Sequence, residues 1–198
     1  PHFVWFVLCG MLPWSFFSKA VSDAGGSLVR SRQIIHQFTI PKYLIPVSAV
    51  FANALWFVMG IAAVLPFYVW MNKGFFFGLF LMPVVLFLHI IFCVGLGLLC
   101  SVLVVFIRDV EEILGVIFMG LFWVTPIFYS VDMVPIQYQR FLWYNPMTLF
   151  VDAYRALLFF YSFPPLRNFL IMGIVSFGVL GLGLSVFRKC EKYIIKRI

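Results

Sequence analysis

Charge is scarce in this chain. Only 11% of its 198 residues are Asp, Glu, Lys or Arg, against about a quarter in soluble globular domains. Acids are the rarer sign, seven against 14 basic residues. With 64% hydrophobic residues, 26 of them Phe, such a composition excludes a water-soluble fold. No Gly-x4-Gly-Lys-Ser/Thr loop occurs, so the chain has no phosphate loop of its own with which to bind ATP. Cys9, Cys93, Cys100 and Cys190 lack metal-ligand spacing, and two of them share one apolar run; they read as buried small hydrophobes. His2, His36 and His89 are far apart, so neither a catalytic cluster nor a metal site is expected. His89, in "LFLHIIF", is expected to be a hydrogen-bonded intramembrane residue. The opening "PHFVWFVLCG" has no charged leader, and hydrophobic runs recur to the C-terminus, which argues against a cleaved signal peptide. As the first residue is not Met, the chain is read as N-terminally incomplete.

What the chain does have is apolar length. Charge-free runs occupy 1–18, 43–72, 74–107, 113–131 and 168–187, and about 20 apolar residues suffice to cross a bilayer. An all-α integral membrane protein with five visible spans follows. The tail "RKCEKYIIKRI" and the 19–42 connection with Lys19, Arg30, Arg32 and Lys42 belong in the cytoplasm by the positive-inside rule. Alternation then puts Lys73 in an outside turn, the cluster Arg108, Asp109, Glu111 and Glu112 inside, and 132–167 outside. Ten of the 14 basic residues fall on inside segments. One further upstream span would bring both termini inside, for six in all. The net charge of +7 is spread over membrane-flanking segments, which favour anionic lipid head groups, and no nucleic acid is expected as a partner.

Asp109 and Glu112 have the spacing of a capping box ahead of "ILGVIFMGLFW", so a tight turn after Arg108 should start the next span. Thr125-Pro126 should end or kink that span early, because proline removes a backbone donor and clashes with the carbonyl of Phe122. The following stretch is too apolar for a solvated loop and is broken by Pro135, Pro146, Pro164 and Pro165. Asn145 can cap a helix beginning at Pro146, and a pair of short re-entrant helices is expected over 132–160. Asp152 and Arg155, three apart, should pair with each other. Between Leu28 and Phe38 an apolar side of Leu28, Ile34, Ile35 and Phe38 opposes Arg30, Arg32, Gln33 and Gln37; this suits either an interfacial helix or a docking element for a soluble partner.

Aromatic residues crowd the outer region: Phe128, Tyr129, Tyr138, Trp143, Tyr144, Phe150 and Tyr154. A membrane-interface belt accounts for them. A second reading is a strip facing a channel, since a helix from Pro146 places Phe150 and Tyr154 on one face.

"GMLPWSFFSKAVSDAGGSLVRSRQIIHQFTIPKYLIPVS", "VVFIRDVEEILGVIFMGLFWVTPIFYS" and "YNPMTLFVDAYRALLF" together resemble the permease subunit of bacterial type-2 ABC exporters of polysaccharides, the family that moves O-antigen, capsule or teichoic acid chains. The resemblance runs in order from about Gly10 to Arg188. It implies one permease domain over 1–198 that forms a homodimer around a channel in the bacterial inner membrane. It also implies two separate ATP-binding subunits, which carry the ATP and Mg, and a lipid-linked polysaccharide as cargo. The 28–38 segment becomes the coupling helix, with Arg30, Arg32, Gln33, Ile35 and His36 toward the ATPase, and 132–160 becomes the outer gate, with Phe128, Tyr129, Trp143, Tyr144, Asn145, Phe150, Tyr154 and Arg155. The family's amphipathic N-terminal helix and first span are missing here. The alternative from another class is a membrane enzyme of polymer biosynthesis, a polyprenyl-phosphate glycosyltransferase or acyltransferase. It would need acids or histidines clustered at one membrane face, and the outside acids are only Asp132 and Asp152. A secondary transporter would call for an internal repeat and mid-membrane ionisable groups, and neither is found.

Overall fold

The computed structural model describes residues 2–37, 41–71, 77–107 and 109–197. Among the described residues eight α-helices follow in order: α1 (His2–Arg30), α2 (Arg32–Gln37), α3 (Leu44–Met71), α4 (Phe77–Phe106), α5 (Val110–Val124), α6 (Ile136–Tyr144), α7 (Pro146–Leu158) and α8 (Leu166–Arg197), with a 3-10 turn at Val131–Met133. No strand occurs among the described residues. Four of the helices are long and apolar enough to cross a membrane, over Phe3–Arg30, Leu44–Pro66, Phe80–Phe106 and Leu166–Ile194. The protein is therefore an all-α, multi-pass membrane protein. The 113–131 run folds into the 15-residue α5, about 22 Å at 1.5 Å per residue, which is less than the roughly 30 Å hydrocarbon thickness. Thr125-Pro126 stops it, as the missing proline N–H dictates.

The long helices alternate between two ends of a bundle. At one end Arg30 meets Glu111, and Arg197 donates to the Phe106 carbonyl at 3.1 Å. At the other, the Trp5 indole N–H donates to the Leu158 carbonyl at 3.0 Å, and the Tyr68 and Tyr161 rings meet at 5.6 Å. α4 is the central helix, packed on α8, α1, α3 and α7. Its contact with α8 is backbone on backbone: a Cβ added to Gly95 would lie 2.6 Å from the Leu180 nitrogen, and one on Gly183 would lie 3.2 Å from the Gly95 Cα. Helices in lipid gain nothing from burying apolar surface against each other, so close approach at small residues provides the attraction. α1 presents Phe17, Val21, Ala24 and Leu28, spaced three or four apart, as buried residues.

Two expectations change here. The connection expected over 19–42 is in large part helix, because α1 runs on through Lys19 and Asp23 to Arg30. The Asp23 carboxylate accepts from Asn53 Nδ2 of α3 at 2.9 Å, which answers the acid within the bundle. The capping box at Asp109 does not form: that residue has helical φ −64° and ψ −16° and makes no side-chain cap bond. An N-cap side chain reaches back only from an extended backbone. Glu111 instead turns to Arg30 at 2.6 Å.

Candidate functional site

α5 ends inside the protein, and its broken end has to be satisfied without water. Past Pro126 the chain runs irregularly through Ile127 to Ser130, so these carbonyls have no helical donors. Arg155 of α7 supplies them. Its guanidinium donates to the carbonyls of Pro126, Ile127 and, at 3.2 Å, Tyr129. Thr125 Oγ1 donates to the Leu121 carbonyl at 2.7 Å and accepts from Asn145 Nδ2 at 2.8 Å. The Tyr129 hydroxyl donates to the Val124 carbonyl at 3.0 Å. Arg155 and Thr125 are 3% and 1% exposed, so each unmade bond would leave a buried carbonyl unpaired.

α1 makes room for this arrangement. The Arg155 guanidinium carbon sits 3.8 Å from the centre of the Phe6 ring, a cation–π contact. A Cβ on Gly10 would lie 2.7 Å from Arg155 Nη2, so the absence of a side chain at Gly10 opens the space that the guanidinium fills. α1, α5 and α7 are thereby tied at one point.

Asn145 caps α7 as expected: its Oδ1 accepts from the Met147 N–H at 3.0 Å and Pro146 occupies the first turn. Asp152 and Arg155 do not pair as expected, because the carbonyls of the α5 break claim the guanidinium. Burial raises the Asp152 carboxyl above its ordinary pKa, while the Arg155 charge opposes that and Asp132 adds to it.

The aromatic residues divide. Phe128, Trp143 and Tyr144 are exposed, whereas Phe150 and Tyr154 are fully buried. The strip expected to face a channel points into the subunit: Phe150 stacks on His89 at 4.5 Å, and Tyr154 meets Phe57 edge-on at 5.5 Å. Most of α7 is apolar, and its buried face comes to rest on α4 and α1. His89 departs from expectation too. It is enclosed by Phe16 at 4.9 Å, Phe57 and Phe150, and neither ring nitrogen has a hydrogen-bond partner among the described residues.

At the opposite end, Leu28 and Arg30 belong to α1, and Arg32, Gln33 and Ile35 to the six-residue α2. Arg32 and Gln33 are exposed and Ile35 is half-buried. Arg30 donates to Glu111 at 2.6 Å and to the Asp23 carbonyl at 2.7 Å. Glu112 and Asp109 are exposed. Arg108, Phe38 and the His36 side chain lie outside the described residues. Phe6, Gly10, Asn53 and Trp5 escaped sequence reasoning. An asparagine alone in an apolar run was the signal for Asn53; nothing in the sequence pointed to the other three. No group of His, Cys, Asp or Glu among the described residues could hold a metal ion.

The break in α5 is thus followed by two short helices, α6 and α7, within a bundle of long apolar helices. The ABC-2 type transporter family matches residues 6–159, and the chain belongs to that family. It is 28% identical over 192 residues to an O-antigen export system permease protein RfbA of Klebsiella pneumoniae, covering 96% of this chain and 74% of that one. It is 24% identical over 189 residues to an O-antigen export system permease protein RfbA of Myxococcus xanthus, covering 94% and 73%. A transporter subunit thus stands in place of the membrane enzyme.

Proposed function

We propose that this chain is the permease of an exporter that moves a lipid-linked polysaccharide of the O-antigen class across the bacterial inner membrane. Two copies form the channel and two separate ATP-binding subunits drive it. The relatives are O-antigen export permeases, which supports the cargo, and the absence of a phosphate loop in the sequence suits hydrolysis elsewhere. The observation that carries the mechanism is that α5 is tied at both ends. Its first turn is paired to Arg30, directly before α2, and its broken end is held by Arg155 of α7. α2 acts as the coupling element, with Arg32, Gln33 and Ile35 toward the ATPase. A displacement there passes along α5 as a rod to α6 and α7, which form the gate. α5 buries none of its residues, which leaves Val116, Met119 and Trp123 free for lipid or for the second copy.

The Arg30–Glu111 pair tests this directly. Its side chains are 53% and 46% exposed, and such pairs add at most about 1 kcal/mol to stability, so export is the sensitive readout. Arg30→Glu and Glu111→Arg each reduce surface polysaccharide at equal protein level, and the double swap restores it. The ATPase encoded beside the permease co-purifies with all three variants. Normal export by both single variants would refute the rod.

A further inference from the structure

A cavity sits at the α6–α7 end, with a lining that includes none of the residues of the α5 break. It has a volume of about 640 Å³, and Arg140, Trp143, Tyr144, Leu149, Pro165, Arg167, Asn168 and Ile171 line it. Arg140 lies on α6 and Arg167 in the first turn of α8. Both are exposed, and neither makes an ion pair or hydrogen bond with another described residue. No carboxylate among the described residues lines the cavity. Two acids, Asp132 and Asp152, line an adjoining pocket of about 200 Å³ that shares Trp143, Pro165 and Asn168 with it.

Two free guanidinium groups converging on one cavity suit an anion with several oxygens, because each planar fork matches a phosphoryl group bidentately. The first turn of the 32-residue α8 contributes the positive end of its dipole. The space is many times that of a phosphate, and the remaining wall of Trp143, Tyr144, Leu149, Pro165 and Ile171 is apolar or aromatic. The occupant must therefore carry an apolar or ring-bearing part next to its phosphate.

We propose that the cleft between α6 and the start of α8 binds the phosphoryl head of an amphiphile, with Arg140 and Arg167 on the phosphoryl oxygens and Trp143 and Tyr144 against the attached group. This goes beyond the export reading, since it concerns what the cleft holds and not what the protein moves. The head can come from a membrane phospholipid or from a diphosphate-linked molecule, and the test separates the two.

The purified permease in a neutral maltoside detergent is titrated by calorimetry with inorganic pyrophosphate and, separately, with dihexanoylphosphatidylglycerol. Saturable binding is expected. The Arg140→Gln/Arg167→Gln variant, whose substitutions are exposed and leave folding intact, binds at least tenfold more weakly. Binding of pyrophosphate alone assigns the site to a diphosphate, and binding of the phosphatidylglycerol assigns it to a phospholipid head. No saturable binding of either probe, or equal affinity in the double variant, overturns the proposal. Because the titration needs no export, its failure leaves the charge-swap result at Arg30 and Glu111 standing, and the reverse holds as well.

Discussion

A guanidinium is the one side chain that can serve three carbonyls at once from a fixed plane, and Arg155 uses that property where α5 stops. Lysine at the same place keeps the charge but offers a single point of attachment. Hydrogen bonds to charged groups contribute about 1.5–3 kcal/mol each, and buried acceptors left unpaired cost a similar amount. Arg155→Lys is therefore expected to lower stability by about 3 kcal/mol and Arg155→Met by more. Thermal unfolding of the detergent-solubilised protein measures this, and a Lys variant as stable as the parent would show that the carbonyls find other donors. Phe150 and Tyr154 make the complementary case. Their spacing on one helical face was readable, but a face is only a direction until a neighbour occupies it, and here α4 and α1 do.

At the scale of elements, the α4–α8 contact rests on two glycines that let backbones touch. Gly95→Leu would drive a side chain into the Leu180 and Val179 backbone, and overpacking of this kind costs about 1–3 kcal/mol or more. Gly178→Leu provides the control, because nothing lies within 4 Å of a Cβ there. The first variant is expected to unfold at lower temperature and the second to match the parent; equal melting of the two would mean that the helices can part without loss. Helix existence was legible along most of the chain, since runs of some 20 apolar residues have few alternatives in lipid. Helix ends were less so. Proline and the Asn145-Pro146 cap marked theirs correctly, because both act through local backbone chemistry. α1 outran its apolar run by a dozen residues because Lys19 and Asp23 are compatible with a helix that extends past the hydrocarbon. The Asp109 capping box failed because the residue's backbone is itself helical, which leaves its side chain out of reach of the first-turn N–H groups.

For the whole molecule, orientation rests on the distribution of Lys and Arg, with Arg30, Arg32 and the α8 tail at one end of the bundle and the α6–α7 pair at the other. In a background free of the four native cysteines, Gln137→Cys is expected to react with an impermeant thiol reagent in intact spheroplasts, and Ser31→Cys only after lysis. Labelling of Ser31→Cys in intact cells would invert the assignment. By itself the sequence determined that the protein lives in a membrane, where α5 breaks and what family it resembles, because each of these follows from local composition, proline chemistry or short ordered motifs. Only the tertiary structure decided that Arg155 serves the α5 break and not Asp152, that Phe150 and Tyr154 are core and not channel wall, that His89 is enclosed by aromatic rings and not hydrogen-bonded, and that Arg140 and Arg167 line one cleft. Those outcomes depend on which helices lie side by side, and residues far apart in the chain are brought together by packing, which no local signal in the chain encodes.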